Sequence, residues 1–232
     1  MSIQENVAAI RARIDAAALA AGRDPKEILL LAATKMNDAD RVREAVAAGV
    51  DACGENRVQE LVQKQPLGAY EGKPVHFIGH LQTNKVNKVV GRVDLIQSVD
   101  RTELLEAVNR TALRLGLRQD ILLEINIGAE PQKGGFTPDE ARALAAQMGQ
   151  WPGVRLCGLM AIPPASVEKG DNRKYFAEMR NLFVDIRGKK YDNVSMVCLS
   201  MGMTDDFEDA IAEGSTMIRV GTAIFGARDY TK

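Results

Sequence analysis

The segment Ile28-Leu29-Leu30-Leu31-Ala32-Ala33-Thr34-Lys35 decides the fold class of this chain. Its first six residues are all apolar, which is typical of a parallel strand that is buried on both faces. A lysine is the residue least expected at the end of such a strand, because its amine is costly to bury without a partner. The segment therefore indicates an α/β protein and marks Lys35 as a candidate functional residue.

Seven further strand-like segments follow, with a helical segment between each strand and the next. The strands predicted in this way are 28–33, 50–53, 75–78, 93–98, 121–127, 154–160, 194–199 and 216–220. An amphipathic helix with Ile3, Val7, Ile10 and Ile14 on one face precedes them. Alternating strands and helices predict a single (β/α)8 TIM barrel over residues 1–232, with an extra N-terminal helix; a doubly wound open sheet is the alternative.

Local signals place several helix ends. The segment Thr137-Pro138-Asp139-Glu140 is a capping box with proline at the first helical position. Asp38 and Asp100 are the expected N-caps of the helices after strands one and four. Further helices are expected from about Gln82 to Val90 and near residues 205–212.

The composition excludes several classes of function. Thirty basic and thirty-one acidic side chains give a formal net charge of −1, so no bulk field attracts nucleic acid or a membrane surface. Cys53, Cys157 and Cys198 lie far apart and form no CxxC motif, which predicts buried reduced thiols. No segment resembles a signal peptide or a membrane span, so a cytoplasmic protein is expected.

His76 and His80 have the i, i+4 spacing of a helical metal site. The strand context of residues 75–78 and the intervening Gly79 deny them a common helical face. We therefore expect one packed histidine, one loop histidine and no metal.

Ligands of (β/α)8 barrels bind at the C-terminal ends of the strands, and phosphate is often held by the loops after strands seven and eight. The first of these loops is Ser200-Met201-Gly202-Met203-Thr204, and the second begins with Gly221-Thr222. Hydroxyls, glycines and the main-chain amides of a starting helix hold a dianionic phosphate without net positive charge. The two loops therefore predict a phosphate site.

Two cations stand at the strand ends. Lys35 either extends its amine to water or is a partly desolvated amine, of lowered pKa, that forms a Schiff base with an aldehyde. Arg219, within the apolar run 217–220, needs a carboxylate from a neighbouring strand or a ligand atom that only accepts, such as an unprotonated ring nitrogen. With a phosphate cradle, the second interpretation of each cation predicts pyridoxal 5′-phosphate.

At these strand-end residues the sequence resembles the pyridoxal phosphate homeostasis proteins of the YggS/PROSC type. The matching segments span nearly the whole chain and are 33–35, 54–60, 76–85, 158–164, 199–204 and 219–226. The resemblance implies a single barrel like the N-terminal domain of alanine racemase, with pyridoxal 5′-phosphate joined to Lys35 as an internal aldimine. The implied cofactor-binding residues are Lys35, Asn56, Ser200, Met201, Arg219, Gly221 and Thr222.

The resemblance also assigns roles to these residues. Asn56 is expected beside the cofactor and Arg219 against its pyridine nitrogen, while the residues of the two loops hold the phosphate. The chain departs from the family pattern at four places, which are Cys53, Arg57, Thr204 and the segment 36–37. Thr204 alone among them is expected near the phosphate, and it keeps the usual hydroxyl.

The resemblance implies a protein that buffers or delivers the cofactor without substantial turnover, in transient contact with apo-enzymes that use it. The alternative is an amino-acid racemase, which needs acid/base groups on both faces of the substrate carbon. In the alanine racemase type a tyrosine from an appended domain supplies the second group across a dimer. The chain ends at Lys232 without such a domain, so we expect a monomer, and Tyr230 behind strand eight keeps the alternative open.

Overall fold

A computed structural model describes residues 2–165 and 170–226 of the chain. The strands are β1 (Leu29–Ala33), β2 (Ala52–Glu55), β3 (Val75–Phe77), β4 (Leu95–Val99), β5 (Gln119–Ile125), β6 (Val154–Ala161), β7 (Val194–Ser200) and β8 (Met217–Val220). They pair in parallel and in sequence order, and β1 pairs with both β2 and β8, so that the barrel is closed. The predicted (β/α)8 barrel is confirmed, and the open sheet is excluded.

Eight α-helices accompany the strands in the part of the chain that is described. They are α1 (Ile3–Ala20), α2 (Ala39–Ala47), α3 (Val58–Lys64), α4 (Thr102–Arg114), α5 (Pro138–Gln147), α6 (Arg173–Lys189), α7 (Phe207–Ala212) and α8 (Thr222–Phe225). The extra helix α1 buries its predicted stripe against α7 and α8. The capping box of α5 is present, since the Glu140 amide donates to Thr137 Oγ1 and the Thr137 amide donates to Glu140 Oε2. No helix in the described ranges is long and apolar enough to cross a bilayer.

Strand two was predicted too early, because Gly54 and Glu55 belong to β2 instead of a turn. Gly54 pairs with His76 and Glu55 with Phe77, so pairing with β3 outweighs the turn preference of glycine. This shift places the Glu55 side chain in a fully buried position.

The α-helix expected from Gln82 to Val90 is instead a short 3-10 helix at Thr83–Lys88. Its tighter winding aligns residues three apart, and Val86 and Val89 are both buried where the segment packs against α4. Asp100 also does not cap α4. Arg101 occupies that position, because the Asp100 carboxylate is instead hydrogen-bonded to His80 and Arg101.

Apolar side chains form two layers. The larger layer fills the space between the strands and the helices, and a smaller cluster fills the inside of the barrel. Cys53, Cys157 and Cys198 are buried free thiols, as predicted. Some polar side chains are also buried with this inner cluster, among them Gln97 and Ser200.

Candidate functional site

The structure brings the seven predicted residues to the C-terminal ends of four adjacent strands. These residues are Lys35 after β1, Asn56 after β2, Ser200 and Met201 at the end of β7, Arg219 within β8, and Gly221 and Thr222 after β8. Main-chain pairing joins the ends, since Ala33 lies opposite Gly54 and Ala32 lies opposite Val220. One side of the barrel mouth therefore carries all of them.

The main chain around Lys35 is held on both sides. The Thr34 amide donates to Gly54 O at 2.9 Å, and the Met36 amide donates to Glu60 Oε2 at 2.7 Å. Met36 has a φ of 61°, a left-handed conformation that non-glycine residues rarely adopt and that is common at functional sites. Lys35 itself is half-buried, and its backbone is fixed by the residues on both sides of it.

A buried ion-pair network lies beneath this segment. Lys64 Nζ is 2.9 Å from Thr34 O, from Glu55 Oε1 and from Glu60 Oε2, and the Tyr70 hydroxyl donates to Glu55 Oε1 at 3.1 Å. Burial raises the pKa of Glu55, and the charge of Lys64 opposes that rise. Sequence reasoning missed this network; the i, i+4 spacing of Glu60 and Lys64 was its only local signal.

Arg219 is 5% exposed, and the two hydrogen-bond partners of its guanidinium among the described residues are uncharged. Nη1 donates to Ser200 Oγ at 2.6 Å and Nη2 donates to Ala161 O at 3.0 Å. Burial lowers the pKa of Arg219 to about 10, against the effect of Glu124, so the guanidinium is cationic at neutral pH. A guanidinium has five N–H donors, and two of them are accounted for in this way.

The residues predicted to bind phosphate differ in whether their hydrogen-bonding groups are already paired within the protein. The Ser200 side chain is fully buried and donates to Gln97 Oε1 at 2.7 Å, and the Met201 amide donates to Met217 O at 3.2 Å. In the turn after β8, the Ile224 and Phe225 amides donate to Gly221 O. The first amides of a helix have no intrahelical acceptor, so the amides at the start of α8 remain directed away from that helix.

The glycines of the two loops lie close to neighbouring residues, with a tight contact at Gly221 and a prohibitive one at Gly202. A Cβ at Gly221 would lie 3.3 Å from Ala33 O, and a Cβ at Gly202 would lie 2.5 Å from the Cβ of Ala210. Gly202 also has a φ of 91°, which favours glycine. Glycine at these positions lets the turn after β7 pack against α7 and the turn after β8 pack against β1.

Asn56 borders a cavity of about 310 Å³ at the mouth. This cavity is lined by Asn56, Ile78, Gly79, His80, Asp100, Glu124, Ile125, Asn126, Lys133, Gly134 and Ile162. Among the described residues Asn56 Oδ1 is buried and has no hydrogen-bond partner. A buried acceptor without a donor costs about 1–3 kcal/mol, so a ligand that donates to it would fit.

Glu124, at the end of β5, is a site residue that sequence reasoning missed. Burial, with a smaller effect of Asp100, raises the pKa of Glu124 to about 7, and the charges of Arg219 and Lys133 oppose the rise. Its signal was the same as that of Arg219, a charged residue within an apolar strand.

The two histidines have separate partners. His76 is buried, with Nδ1 at 2.8 Å from Gln97 Nε2, and burial lowers its pKa to about 4. His80 is exposed, and its Nδ1 lies 3.1 Å from Asp100 Oδ2. The described ranges contain no group of three His, Cys, Asp or Glu side chains placed to hold a metal ion.

A larger cavity, of about 1000 Å³, opens at the opposite end of the barrel beside Leu29, Asp94 and Asp120. These residues lie at the starts of the strands or just before them. In (β/α)8 barrels that face serves stability, and the ligand site lies at the other end. We therefore place the candidate site at the C-terminal mouth, where Asn56 is the one predicted site residue that also lines the smaller cavity.

Comparison with known proteins gives consistent matches along the chain. The model of the family described as alanine racemase, N-terminal domain, matches residues 3–229. The pyridoxal phosphate homeostasis protein of Pseudomonas aeruginosa is 42% identical over 236 residues, covering 99% of this chain and 97% of that protein. The protein of the same name from Escherichia coli K12 is 42% identical over 241 residues, covering 99% and 98%.

A solved structure shows the same similarity. PipY of Synechococcus elongatus PCC7942, in its structure with pyridoxal phosphate bound, superimposes with a TM-score of 0.83 at 34% identity. The match covers 97% of this chain and 100% of PipY.

Proposed function

Because the chain belongs to the pyridoxal phosphate homeostasis protein family, we propose that it binds pyridoxal 5′-phosphate and buffers or delivers it in the cytoplasm without substantial turnover of its own. The observation that carries the proposal is the convergence of Lys35, Arg219, Asn56 and two glycine-containing loops at one side of the barrel mouth. The bound cofactor in the Synechococcus relative supports the same ligand.

The residues present fit this cofactor. Bound pyridoxal 5′-phosphate supplies an aldehyde, which reacts with a primary amine to form a C=N bond and release water. Lys35 is the amine that we assign, because it is half-buried at the mouth and its main chain is fixed on both sides. Asn56 Oδ1, after the neighbouring strand β2, supplies a buried acceptor with no partner among the described residues.

Arg219 and the loops hold the other two ends of the ligand in this proposal. The guanidinium is anchored to Ser200 and Ala161 and keeps N–H donors for the pyridine nitrogen. The amides at Gly221 and Thr222, with the main chain around Gly202, hold the phosphate. Ser200 and Met201 contribute indirectly in this proposal. The hydroxyl of Ser200 accepts a hydrogen bond from Arg219, and the amide of Met201 donates to the main chain of β8.

Borohydride reduction followed by peptide mapping tests the attachment at Lys35. Reduction fixes a C=N bond as a stable amine, so the modified peptide should contain Lys35. The Lys35→Arg variant should lose the label and Lys133→Arg, which alters another lysine at the mouth, should keep it. Label on Lys133 or on any other lysine would refute the assignment.

We also propose a monomer that contacts cofactor-dependent apo-enzymes transiently. Light scattering that gave a concentration-independent dimer would contradict the monomer. The racemase alternative gains no support from Tyr70, whose buried hydroxyl donates to Glu55. Tyr230 lies outside the described residues.

A further inference from the structure

Gln97 is a fully buried polar residue that the proposed function does not use. It lies in β4, and its side chain reaches residues from other strands inside the barrel. Oε1 is 2.7 Å from Ser200 Oγ, and Nε2 is 2.8 Å from His76 Nδ1 and 3.1 Å from the sulfur of Met217. A continuous chain of hydrogen bonds therefore runs from His76 through Gln97 and Ser200 to Arg219.

The chemistry of the donors fixes the direction of this chain. Arginine only donates, so Ser200 Oγ accepts from Arg219 and its single proton goes to Gln97 Oε1. The amide of Gln97 is then left to donate to His76 Nδ1, which must be unprotonated. Burial lowers the pKa of His76 to about 4, so the ring is neutral with its proton on Nε2. Each bond thus determines the next.

The backbone of β4 is irregular where Gln97 leaves it. Ile96 pairs with Ile121 and Val99 pairs with Leu123, so β4 contains one residue more than β5 over this interval. Such a β-bulge redirects a side chain and is common beside functional sites. The surrounding barrel interior is filled by apolar residues such as Leu31, Leu95 and Leu122. Within this apolar surrounding, Gln97 supplies the partners of two buried polar groups, the Ser200 hydroxyl and the His76 ring nitrogen.

We propose that Gln97 is a positioning residue for Arg219. Its carbonyl oxygen holds the Ser200 hydroxyl as an acceptor, and this hydroxyl orients the guanidinium toward the ring nitrogen of the ligand. The inference rests on the proposed function, because it takes pyridoxal 5′-phosphate as the ligand. Without Gln97 the Ser200 hydroxyl can rotate, and Arg219 loses the fixed orientation of one of its two anchors.

The test compares two ligands in two variants. The ligands are pyridoxal 5′-phosphate and its analogue in which the ring nitrogen is replaced by a C–H group. Gln97→Met removes the hydrogen bonds with little change in volume. The matched control is Gln119→Met, because Gln119 is also buried but donates to the carbonyls of Val93 and Asp94. Equilibrium dissociation constants are measured from the ligand absorption spectrum.

Gln97→Met should weaken binding of pyridoxal 5′-phosphate about tenfold or more, since hydrogen bonds to charged groups are among the stronger ones. Binding of the analogue should change far less, because it makes no contact with Arg219 through a ring nitrogen. Gln119→Met should affect both ligands equally. Equal losses for both ligands in Gln97→Met would overturn the inference, since a merely structural role predicts that result.

Two further outcomes are distinguishable. If wild-type protein binds neither ligand, the proposed function fails, and this inference fails with it. If Gln97→Met does not fold, Gln97→Asn provides the same comparison, because the shorter amide cannot reach both Ser200 and His76. If Gln97→Asn no longer prefers pyridoxal 5′-phosphate over the analogue, the positioning role of Gln97 is supported. If the preference is unchanged, that role is refuted.

Discussion

Lys64 Nζ lies 2.9 Å from the main-chain carbonyl oxygen of Thr34, the residue immediately before Lys35. The two lysines have different surroundings. Lys64 is buried among three acceptors, whereas Lys35 is half-buried at the barrel mouth. Lys64 therefore supports the segment that presents Lys35, and we expect the two lysines to respond differently to substitution.

Replacing Lys64 with Met should destabilise the protein by about 3–5 kcal/mol, because it leaves the buried Glu55 without its cation. Urea unfolding measures the effect. Lys26→Met, at an exposed position, is the control and should change the free energy of unfolding by less than about 0.5 kcal/mol. Adding Glu55→Gln to Lys64→Met should recover part of the loss. A cost below about 1 kcal/mol for Lys64→Met would show that the network is not structural.

Replacing Gly221 with Leu should weaken the binding of pyridoxal 5′-phosphate far more than the binding of unphosphorylated pyridoxal. A Cβ at this position would lie 3.3 Å from Ala33 O, so a leucine must shift this contact and adds its bulk at the turn that we assign to the phosphate. Gly188→Leu is the control, because a Cβ there meets no atom within 4 Å. Equal losses for the two ligands would place the phosphate elsewhere.

Glu124 should make the wild-type protein less stable as the pH rises. Its pKa is about 7 in the folded protein and about 4.3 in an unfolded chain, so between these values the folded state holds a proton that the unfolded state releases. The free energy of unfolding therefore falls with rising pH across this interval. The measurement is the free energy of unfolding in urea at about pH 5 and at about pH 8. Glu124→Gln should reduce the difference between the two values, whereas Glu178→Gln, on the exposed face of α6, should leave it unchanged.

Runs of apolar residues predicted the strands, and the charged residues that interrupt these runs were predicted to be functional. Lys35 and Arg219 were identified because a charge at the end of, or within, a buried strand needs a partner. Their partners were not predictable in the same way. Gln97 and Lys64 are ordinary polar residues in the sequence, and only the tertiary structure buries Gln97 against Ser200 and Lys64 against Thr34.

Strand boundaries limited the prediction of side-chain direction. The sequence placed Ser200 in a loop, where its hydroxyl would face a phosphate. The structure includes Ser200 in β7, and the hydroxyl points into the barrel toward Arg219. One residue of strand length therefore changes the expected contact, because successive side chains of a strand alternate in direction.

The low turnover that we propose follows from the charge of Arg219. Burial lowers its pKa only to about 10, so the guanidinium still donates at neutral pH. A donor that faces the pyridine nitrogen keeps that nitrogen unprotonated, and an unprotonated ring accepts electrons poorly from a substrate that loses its α-proton. Single-enantiomer alanine or serine, incubated with stoichiometric protein and followed by chiral chromatography, should therefore show negligible conversion.

Arg219→Ala should loosen cofactor binding without creating an efficient enzyme, because the variant gains no acidic partner for the ring nitrogen and leaves Ser200 Oγ without its donor. Arg110→Ala, on an exposed part of α4, is the control and should bind the cofactor like the wild type. Arg219→Glu is the informative opposite change, since a carboxylate can hold a proton at the ring nitrogen, and we expect more side reactions from it. Racemisation or keto-acid release by the wild-type protein over many turnovers, abolished by Lys35→Ala, would instead identify an enzyme.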